Sequence, residues 1–355
     1  MPAQAIQFCT SHDGTRIAYA VSGSGPALVR APHWLTHLEY EFSNPLWRPW
    51  IEALANGRHL LRMDARACGL SDRGVPDLSF AQSPRDLEAA VDAAGFEAFT
   101  LFGHSQGAAI AIEYAARHPG RVEKLVILGG YARGVKRRGY PPERVAEFDA
   151  LAQLVEAGWG RDDPTYRNLF SMQFMPGATL EQINRMSEVQ RASSTPRDAA
   201  RLVRSYYEID VTASAPEVKC PTLVLHARND RRVPFEEGRL IASLIPSARL
   251  IPLETDNHIL LPQEPAFAQF FEALQAFAPA AATDAARSPF PALTKREAEV
   301  LDHIARGQDN AQIAAHLDLS EKTVRNNITS IFDKLGVENR SQAIVLARES
   351  GLGRT

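Results

Sequence analysis

Three residue types, far apart along the chain, could perform one piece of chemistry together. Gly103-His104-Ser105-Gln106-Gly107 stands between the apolar run Thr100–Phe102 and the helical run AAIAIEYAARHPG. A serine hydroxyl becomes a useful nucleophile when a base takes its proton and a carboxylate orients that base. A tight strand-to-helix turn would project the Ser105 hydroxyl above a sheet, and glycines on either side permit such a turn. Ala108 and Ala109 would let the helix pack close, and its N-terminus supplies positive potential where an oxyanion would form. Where a serine sits on such a strand-to-helix elbow, the acid and then the histidine follow it in the chain. Asp230 ends the segment His226-Ala-Arg-Asn-Asp230 and fits the acid; a solvated turn aspartate is the alternative. No carboxylate promptly follows the sixth strand, the other usual acid position. His258, in LETDNHILLP, is the one of 10 histidines at that end of the chain before residue 278, and fits the base. The second oxyanion donor is expected in Ala31-Pro32-His33-Trp34, from the Trp34 backbone N–H beside that of Gln106. His33 and His37 either line the pocket or are exposed loop histidines.

These side chains need a scaffold. Strand candidates are Ile6–Cys9, Arg16–Ala20, Ala27–Ala31, His59–Met63, Thr100–Phe102, Leu125–Leu128, Thr222–Leu225 and Arg249–Pro252. Helical patterns at Glu52–Asn56, Pro84–Ala94, Ala108–Arg117, Phe235–Ser243 and Pro265–Phe277 separate most of the later ones. The expectation is an α/β fold: a mostly parallel sheet covered on both faces. Between about residues 131 and 216 the alternation stops. That stretch reads as helices, among them Pro142–Ala157, Thr179–Ala192 and Arg197–Glu208, forming a cap over one end of the sheet. The cap offers Trp159, Tyr166, Phe170, Met172, Phe174, Met175, Tyr206 and Tyr207, which suit an apolar or aromatic small molecule or else form the cap's own core. From Ala278 to Pro291 the chain reads APAAATDAARSPFP, a linker composition or the end of the preceding helix.

Through GHSQG, HARND and DNH in that order, residues 1–278 resemble the α/β-hydrolase superfamily. WLTHLEYEF followed by MDARACGLSD is similar to a subgroup whose hydrolase domains accompany regulatory or signalling modules. Two positions depart from the pattern. Pro32-His33 stands where His-Gly is usual after the third strand, and Arg66-Ala67 stands where Arg-Gly is usual. The first touches the oxyanion loop, and the second adds a Cβ in a tight loop. Neither removes a triad side chain.

Residues 292–355 show only helical periodicity, with helices expected at Lys295–Arg306, Ala311–His316, Glu321–Lys334 and Ser341–Glu349. In the third, Val324, Ile328, Ile331 and Leu335 share one face, while Lys322, Arg325, Asn326, Thr329 and Asp333 lie on the other. Two short helices with a tight turn, the second polar outward, describe a helix-turn-helix. The segment holds 9 Lys+Arg and 9 Asp+Glu, so there is no basic footprint, and composition alone leaves a small helical interaction module open. LTKREAEVL, QDNAQIAAHL and LSEKTVRNNITSIFDKLGVENRSQA, in order, are similar to the LuxR-type helix-turn-helix. That resemblance implies double-stranded DNA as partner, with Lys322, Thr323, Arg325, Asn326 and Thr329 at the DNA and the fourth helix in a homodimer. Asn327 stands where the family often has histidine.

Composition fits an ordinary globular protein: 355 residues, net charge −3, 45% hydrophobic. It excludes a disordered, collagen-like or polybasic chain. The 3 cysteines form no CxxC, so neither a disulfide scaffold nor a cysteine metal site is expected, nor any cofactor. Neither a signal peptide nor a membrane span is evident, and a cytoplasmic location is the default. The expectation is a one-component transcription regulator: a hydrolase-like domain at 1–278 that binds, and is equipped to hydrolyse, a small ester- or lactone-like ligand, a linker at 279–291, and a DNA-binding domain at 292–355. Two alternatives stand beside it: an esterase-like enzyme with an accessory helical module, and a regulator whose hydrolase fold is catalytically silent.

Overall fold

Every residue of Phe99–His104 is buried, as expected for a strand at the centre of a sheet covered on both faces. The computed structural model describes residues 4–281, 290 and 292–353 and divides into two units, Met1–Ala280 and Ala281–Thr355. Most of the stretch read as a linker lies outside the described residues.

The first unit is built on one 8-stranded sheet. Its strands are β1 (Ala5–Thr10), β2 (Arg16–Ser22), β3 (Ala27–Arg30), β4 (His59–Met63), β5 (Phe99–His104), β6 (Val122–Leu128), β7 (Thr222–Ala227) and β8 (Ala248–Leu253). Their spatial order is β1-β2-β4-β3-β5-β6-β7-β8. The β1–β2 and β2–β4 pairs are antiparallel and the rest parallel. The strand order therefore reverses between β4 and β5, around β3. In open α/β sheets, ligands bind beyond the carboxyl ends of strands near such a switch point.

Helices α1 (Leu38–Ser43), α2 (Arg48–Ala55), α3 (Ser83–Ala93), α4 (Gln106–Arg117), α9 (Phe235–Leu244) and α10 (Pro265–Phe277) belong to the sheet layers. The cap between β6 and β7 holds α5 (Pro142–Gly158), α6 (Thr165–Ser171), α7 (Leu180–Ser193) and α8 (Pro196–Tyr207). Its two ends are tied together where the chain leaves and rejoins the sheet. An isolated bridge pairs Arg133 with Asp210, and Gly134 N donates to Ile209 O at 2.7 Å. Helix α7 starts on a capping box, Thr179 with Gln182, and α8 starts on Thr195 with Pro196 at its first position. The eight expected strands all occur. Two short helices were not expected: α1, only six residues, and α6, which lies in a stretch of mixed composition.

The second unit holds α11 (Lys295–Ala305), α12 (Asn310–Leu317), α13 (Glu321–Leu335) and α14 (Arg340–Glu349). Thr294 and Asp309 open α11 and α12 as capping boxes, Ser320 caps α13, and Asn339 caps α14. Gly336, at φ 65°, ends α13. Val300, Leu301, Ile304, Ile313, Val324, Ile331, Ala343 and Ala347 form its core.

Candidate active site and candidate nucleic-acid interface

Ser105 sits between β5 and α4 with φ 57° and ψ −127°, a backbone region that non-glycine residues rarely occupy. Neighbouring glycines make the turn possible. A Cβ on Gly103 would stand 2.6 Å from Ala108 Cα and from Gly107 O, and one on Gly107 would stand 2.9 Å from Pro32 O. Ser105 N donates to Leu128 O at 3.0 Å, anchoring the turn to β6.

The acid and histidine arrive from the ends of β7 and β8. Asp230 Oδ1 accepts the backbone N–H groups of Arg232 and Val233, each at 2.8 Å. Its Oδ2 accepts from His258 Nδ1 at 2.6 Å. Burial pushes the Asp230 carboxyl up, but His258, His226 and the Val233 N–H together outweigh it and hold it below its ordinary value. Asp230 is thus an anion aimed at one imidazole nitrogen. The other, His258 Nε2, is buried and has no hydrogen-bond partner among the described residues. His258 and Ser105 line one small pocket with His33, Trp34, His104 and Phe174. Ser105 and His258 form no hydrogen bond with each other. Gly129, at φ 55°, keeps room for this pair, because a Cβ there would stand 3.1 Å from His258 Cε1.

The expected oxyanion donors also meet here. Among the described residues, neither the Trp34 nor the Gln106 backbone N–H has a hydrogen-bond partner. His33, at the position departing from the usual glycine, is buried. Its Nδ1 lies 3.0 Å from Trp34 O, its Nε2 lies 3.1 Å from Glu41 Oε1, and its ring stacks on Trp47 at 4.6 Å. Glu41 also holds Arg30 and Arg62, at 3.3 and 3.2 Å. This buried cluster packs beneath the oxyanion loop. Burial alone would raise the Glu41 carboxyl, but His33, Arg30 and Arg62 hold it far below the usual range. Burial lowers His104 well below its ordinary value, aided by His258, His33 and Arg30, so it lines the site as a neutral ring. His37 is also buried, and its Nδ1 caps α1.

A narrow cleft, partly open to solvent, adjoins Ser105. Of the eight cap residues expected around a ligand, Phe174, Tyr206 and Tyr207 line it. Trp159, Phe170 and Met175 are buried in the core, Tyr166 packs against Gly158, and Met172 is exposed. Sequence reasoning missed Tyr131, Arg138 and Arg232, which also line the cleft. Arg232 sits in ARNDRRVP, where a run of charges looks like a solvated loop.

In the second unit, α13 divides as its periodicity implies. Val324, Ile328 and Ile331 are buried, while Lys322, Thr323, Arg325, Asn326 and Thr329 are all exposed. Among the described residues, neither Lys322 nor Arg325 has a carboxylate within 4.0 Å. Asn327 flanks the buried face and donates from its side chain to Thr323 O at 2.8 Å. Glu297 of α11 fixes the far end of α13. It accepts from Ser330 Oγ at 2.6 Å and from Lys334 Nζ at 2.6 Å.

Among the described residues, no group of three or more His, Cys, Asp or Glu side chains could hold a metal ion. None of the described helices is long and apolar enough to cross a membrane.

Comparison with known proteins agrees with both units. A model of the alpha/beta hydrolase fold family matches residues 38–265. A model of the bacterial regulatory proteins of the luxR family matches residues 291–347. The RutD protein of Azorhizobium caulinodans, named for carbamate hydrolysis, is 31% identical over 218 residues, covering 60% of this chain and 78% of that one. Pyrrolizixenacetamide deacetylase of Xenorhabdus hominickii is 25% identical over 258 residues, covering 70% and 91%. An esterase from Exiguobacterium antarcticum superposes with a TM-score of 0.65 at 23% identity, covering 76% of this chain and 98% of that one. The chain belongs to the α/β-hydrolase fold family and carries, C-terminal to that fold, a domain of the bacterial LuxR regulatory family.

Proposed function

We propose that the protein is a one-component, DNA-binding transcription regulator whose hydrolase-fold domain, residues 1–278, senses a small acyl compound through a working Ser-His-Asp triad. His258 takes the proton from Ser105 and Asp230 holds the imidazolium that results. Ser105 attacks the carbonyl of an ester, lactone or related compound. The backbone N–H groups of Trp34 and Gln106 stabilise the oxyanion, the imidazolium gives its proton to the departing alkoxide, and water deprotonated by His258 then releases the acyl group. Residues 279–291 connect this domain to residues 292–355. There Lys322, Thr323, Arg325, Asn326 and Thr329 of α13 meet double-stranded DNA. One such helix reads few base pairs, so binding uses a homodimer on two half-sites, with α14 in the dimer contact.

The observation that carries this reading is the buried Nε2 of His258, partnerless among the described residues, in the same pocket as Ser105, with Nδ1 held by Asp230. The buried His226 also leaves one nitrogen, Nδ1, without a partner among the described residues, but it does not line the pocket of Ser105, and His258 does. The named activities of two relatives, carbamate hydrolysis and deacetylation, both cleave a carbonyl–heteroatom bond, which supports acyl chemistry at Ser105.

The test uses the full chain with a fluorophosphonate and intact-mass detection, beside selection from random duplexes. A stoichiometric adduct is expected on wild type and none on Ser105→Ala. Arg325→Ala should lose binding to the selected duplex while keeping the adduct. No adduct on folded wild type counts against the triad, and unchanged duplex affinity of Arg325→Ala counts against α13 as the recognition helix.

A further inference from the structure

We infer that the cleft beside Ser105 takes an anionic ligand: an acyl compound that carries a carboxylate, with Arg232 as its counter-charge. This inference rests on the reading of Ser105 above and names the ligand class.

The loop arginines differ in where they find partners. Arg228 pairs with Glu254 at 2.6 Å and Arg231 with Asp256 at 3.9 Å, both at the surface. Arg232, which lines the cleft, has no carboxylate within 4.0 Å among the described residues. The contacts it makes are with neutral groups: Nη1 reaches Gln173 Oε1 at 3.4 Å, and the guanidinium also hydrogen-bonds the Tyr207 side chain. The guanidinium lies over the rings of Phe170 and Phe174, at 5.3 and 5.2 Å from their centroids. Those rings fix the side chain without neutralising it. Arg138, on the same cleft, shares one buried carboxylate. Glu237 lies 3.8 Å from Arg138 Nε and 2.8 Å from Arg133 Nη2. The cleft is therefore short of negative charge.

The neutral groups point the same way. Trp34 Nε1 and Gln106 Nε2 belong to buried residues of this cleft, and among the described residues neither has a hydrogen-bond partner. An indole N–H can only donate, and a carboxamide nitrogen donates. A buried donor left unsatisfied is costly. A wholly apolar ligand would dry the cleft and leave this set unpaired. A ligand bringing several acceptors satisfies it, and a planar carboxylate matches a guanidinium through two parallel hydrogen bonds. The aromatic walls, Phe174, Tyr206 and Tyr207, still favour a flat or apolar body between the carboxylate and the reacting carbonyl. The ligand so described has an apolar or aromatic body, as the sequence suggested, and is also acidic, which the sequence did not suggest.

The experiment uses 3-phenylpropionate and its neutral counterpart 3-phenylpropionamide on the full chain. Each is scored for slowing fluorophosphonate labelling of Ser105 and for raising the melting temperature. Arg232→Gln keeps the backbone N–H that holds Asp230, so the triad geometry survives the change. Arg231→Gln, on the exposed neighbour, is the control. The carboxylate should act at a concentration at least about 10-fold lower than the amide. That ratio should persist in Arg231→Gln and vanish in Arg232→Gln. Equal potency of acid and amide, a ratio retained by Arg232→Gln, or no effect of either compound at about 10 mM overturns the inference. If wild type takes no label, the reading of Ser105 fails separately. The Arg232-dependent melting shift then decides the carboxylate site by itself.

Discussion

Replacing Asp230 with asparagine changes one atom in the site, and the hydrogen bonds around that atom dictate the outcome. The carboxylate has two committed sides: Oδ1 accepts two backbone N–H groups at 2.8 Å, and Oδ2 accepts from His258 Nδ1 at 2.6 Å. An asparagine can place its oxygen on only one side. Facing His258, it would set its NH2 against two backbone donors. Two buried hydrogen bonds would be lost, at about 1–3 kcal/mol each. Facing the backbone, it keeps those bonds and turns its NH2 toward His258 Nδ1. The imidazole then answers by moving its proton from Nδ1 to Nε2, a change of tautomer that costs far less. The second arrangement wins. It leaves Nε2 protonated and unable to accept from Ser105. Triads with this defect lose on the order of 10⁴ in rate. Asp230→Asn should therefore fold normally and lose about three to four orders of magnitude in fluorophosphonate labelling rate, measured by intact mass over time. A labelling rate within about tenfold of wild type would refute the role given to Asp230.

Three further outcomes rest on single contacts. Gly103→Ala would bring a Cβ to 2.6 Å from Ala108 Cα and from Gly107 O, against about 3.5–4.0 Å for a relaxed carbon contact, so the turn must open. Labelling of Ser105 should fall about 10²-fold, and an unchanged rate would mean the turn does not position the serine. Asp64 is buried under the loops after β3 and β4, where burial pushes its carboxyl up to about 7, with Glu41 adding to the push against hydrogen bonds from Leu70 and Leu38. The raised value means that stability from this group is present below about pH 4 and lost as pH rises through about 7. Asp64→Asn should flatten the fall in melting temperature over that window, whereas an unaltered slope contradicts the assignment. Glu297 behaves in the opposite sense. Burial raises its carboxyl, but Lys334, Ser330 and Thr294 outweigh burial and lower it to about 2. Its contribution is present above about pH 4.5 and lost as pH falls toward 2. Glu297→Gln keeps the capping box and drops the charge. Hydrogen exchange in α11 should speed up at pH 7 and depend less on acid, and exchange matching wild type at both pH values speaks against this ion pair.

Much of the fold was legible because its strands are continuous apolar runs in a parallel sheet, a pattern that survives without tertiary information. Ser105 was legible for a local reason, since the glycines at 103 and 107 are forced by backbone atoms within 3 Å of their missing Cβ atoms. Asp230 and His258 were found only through their order along the chain, because nothing near either residue distinguishes it from a loop residue. Arg232 was invisible for a related reason. Its sequence neighbours Arg228 and Arg231 do find surface carboxylates, and only three-dimensional placement separates them from Arg232, which meets no carboxylate among the described residues. The cap aromatics divided between core and cleft because side-chain direction on short helices is set by packing that no periodicity records. Helix α1 escaped because six residues are too few to show a period, and its histidine cap, His37, is not a usual N-cap type. The C-terminal helices were legible almost to the residue, since each opens on a Ser, Thr, Asp or Asn cap.

The central claim is that one chain couples chemistry at Ser105 to DNA binding by α13. The most direct measurement is the affinity of the full chain for its selected duplex before and after stoichiometric fluorophosphonate modification, at fixed salt, on wild type and Ser105→Ala together. Coupling between sites is typically about 1–3 kcal/mol, so affinity should change about 5-fold or more on modified wild type and remain unchanged on Ser105→Ala exposed to the same reagent. Identical affinity of the modified and unmodified wild-type protein would contradict the claim and leave two unconnected activities on one chain.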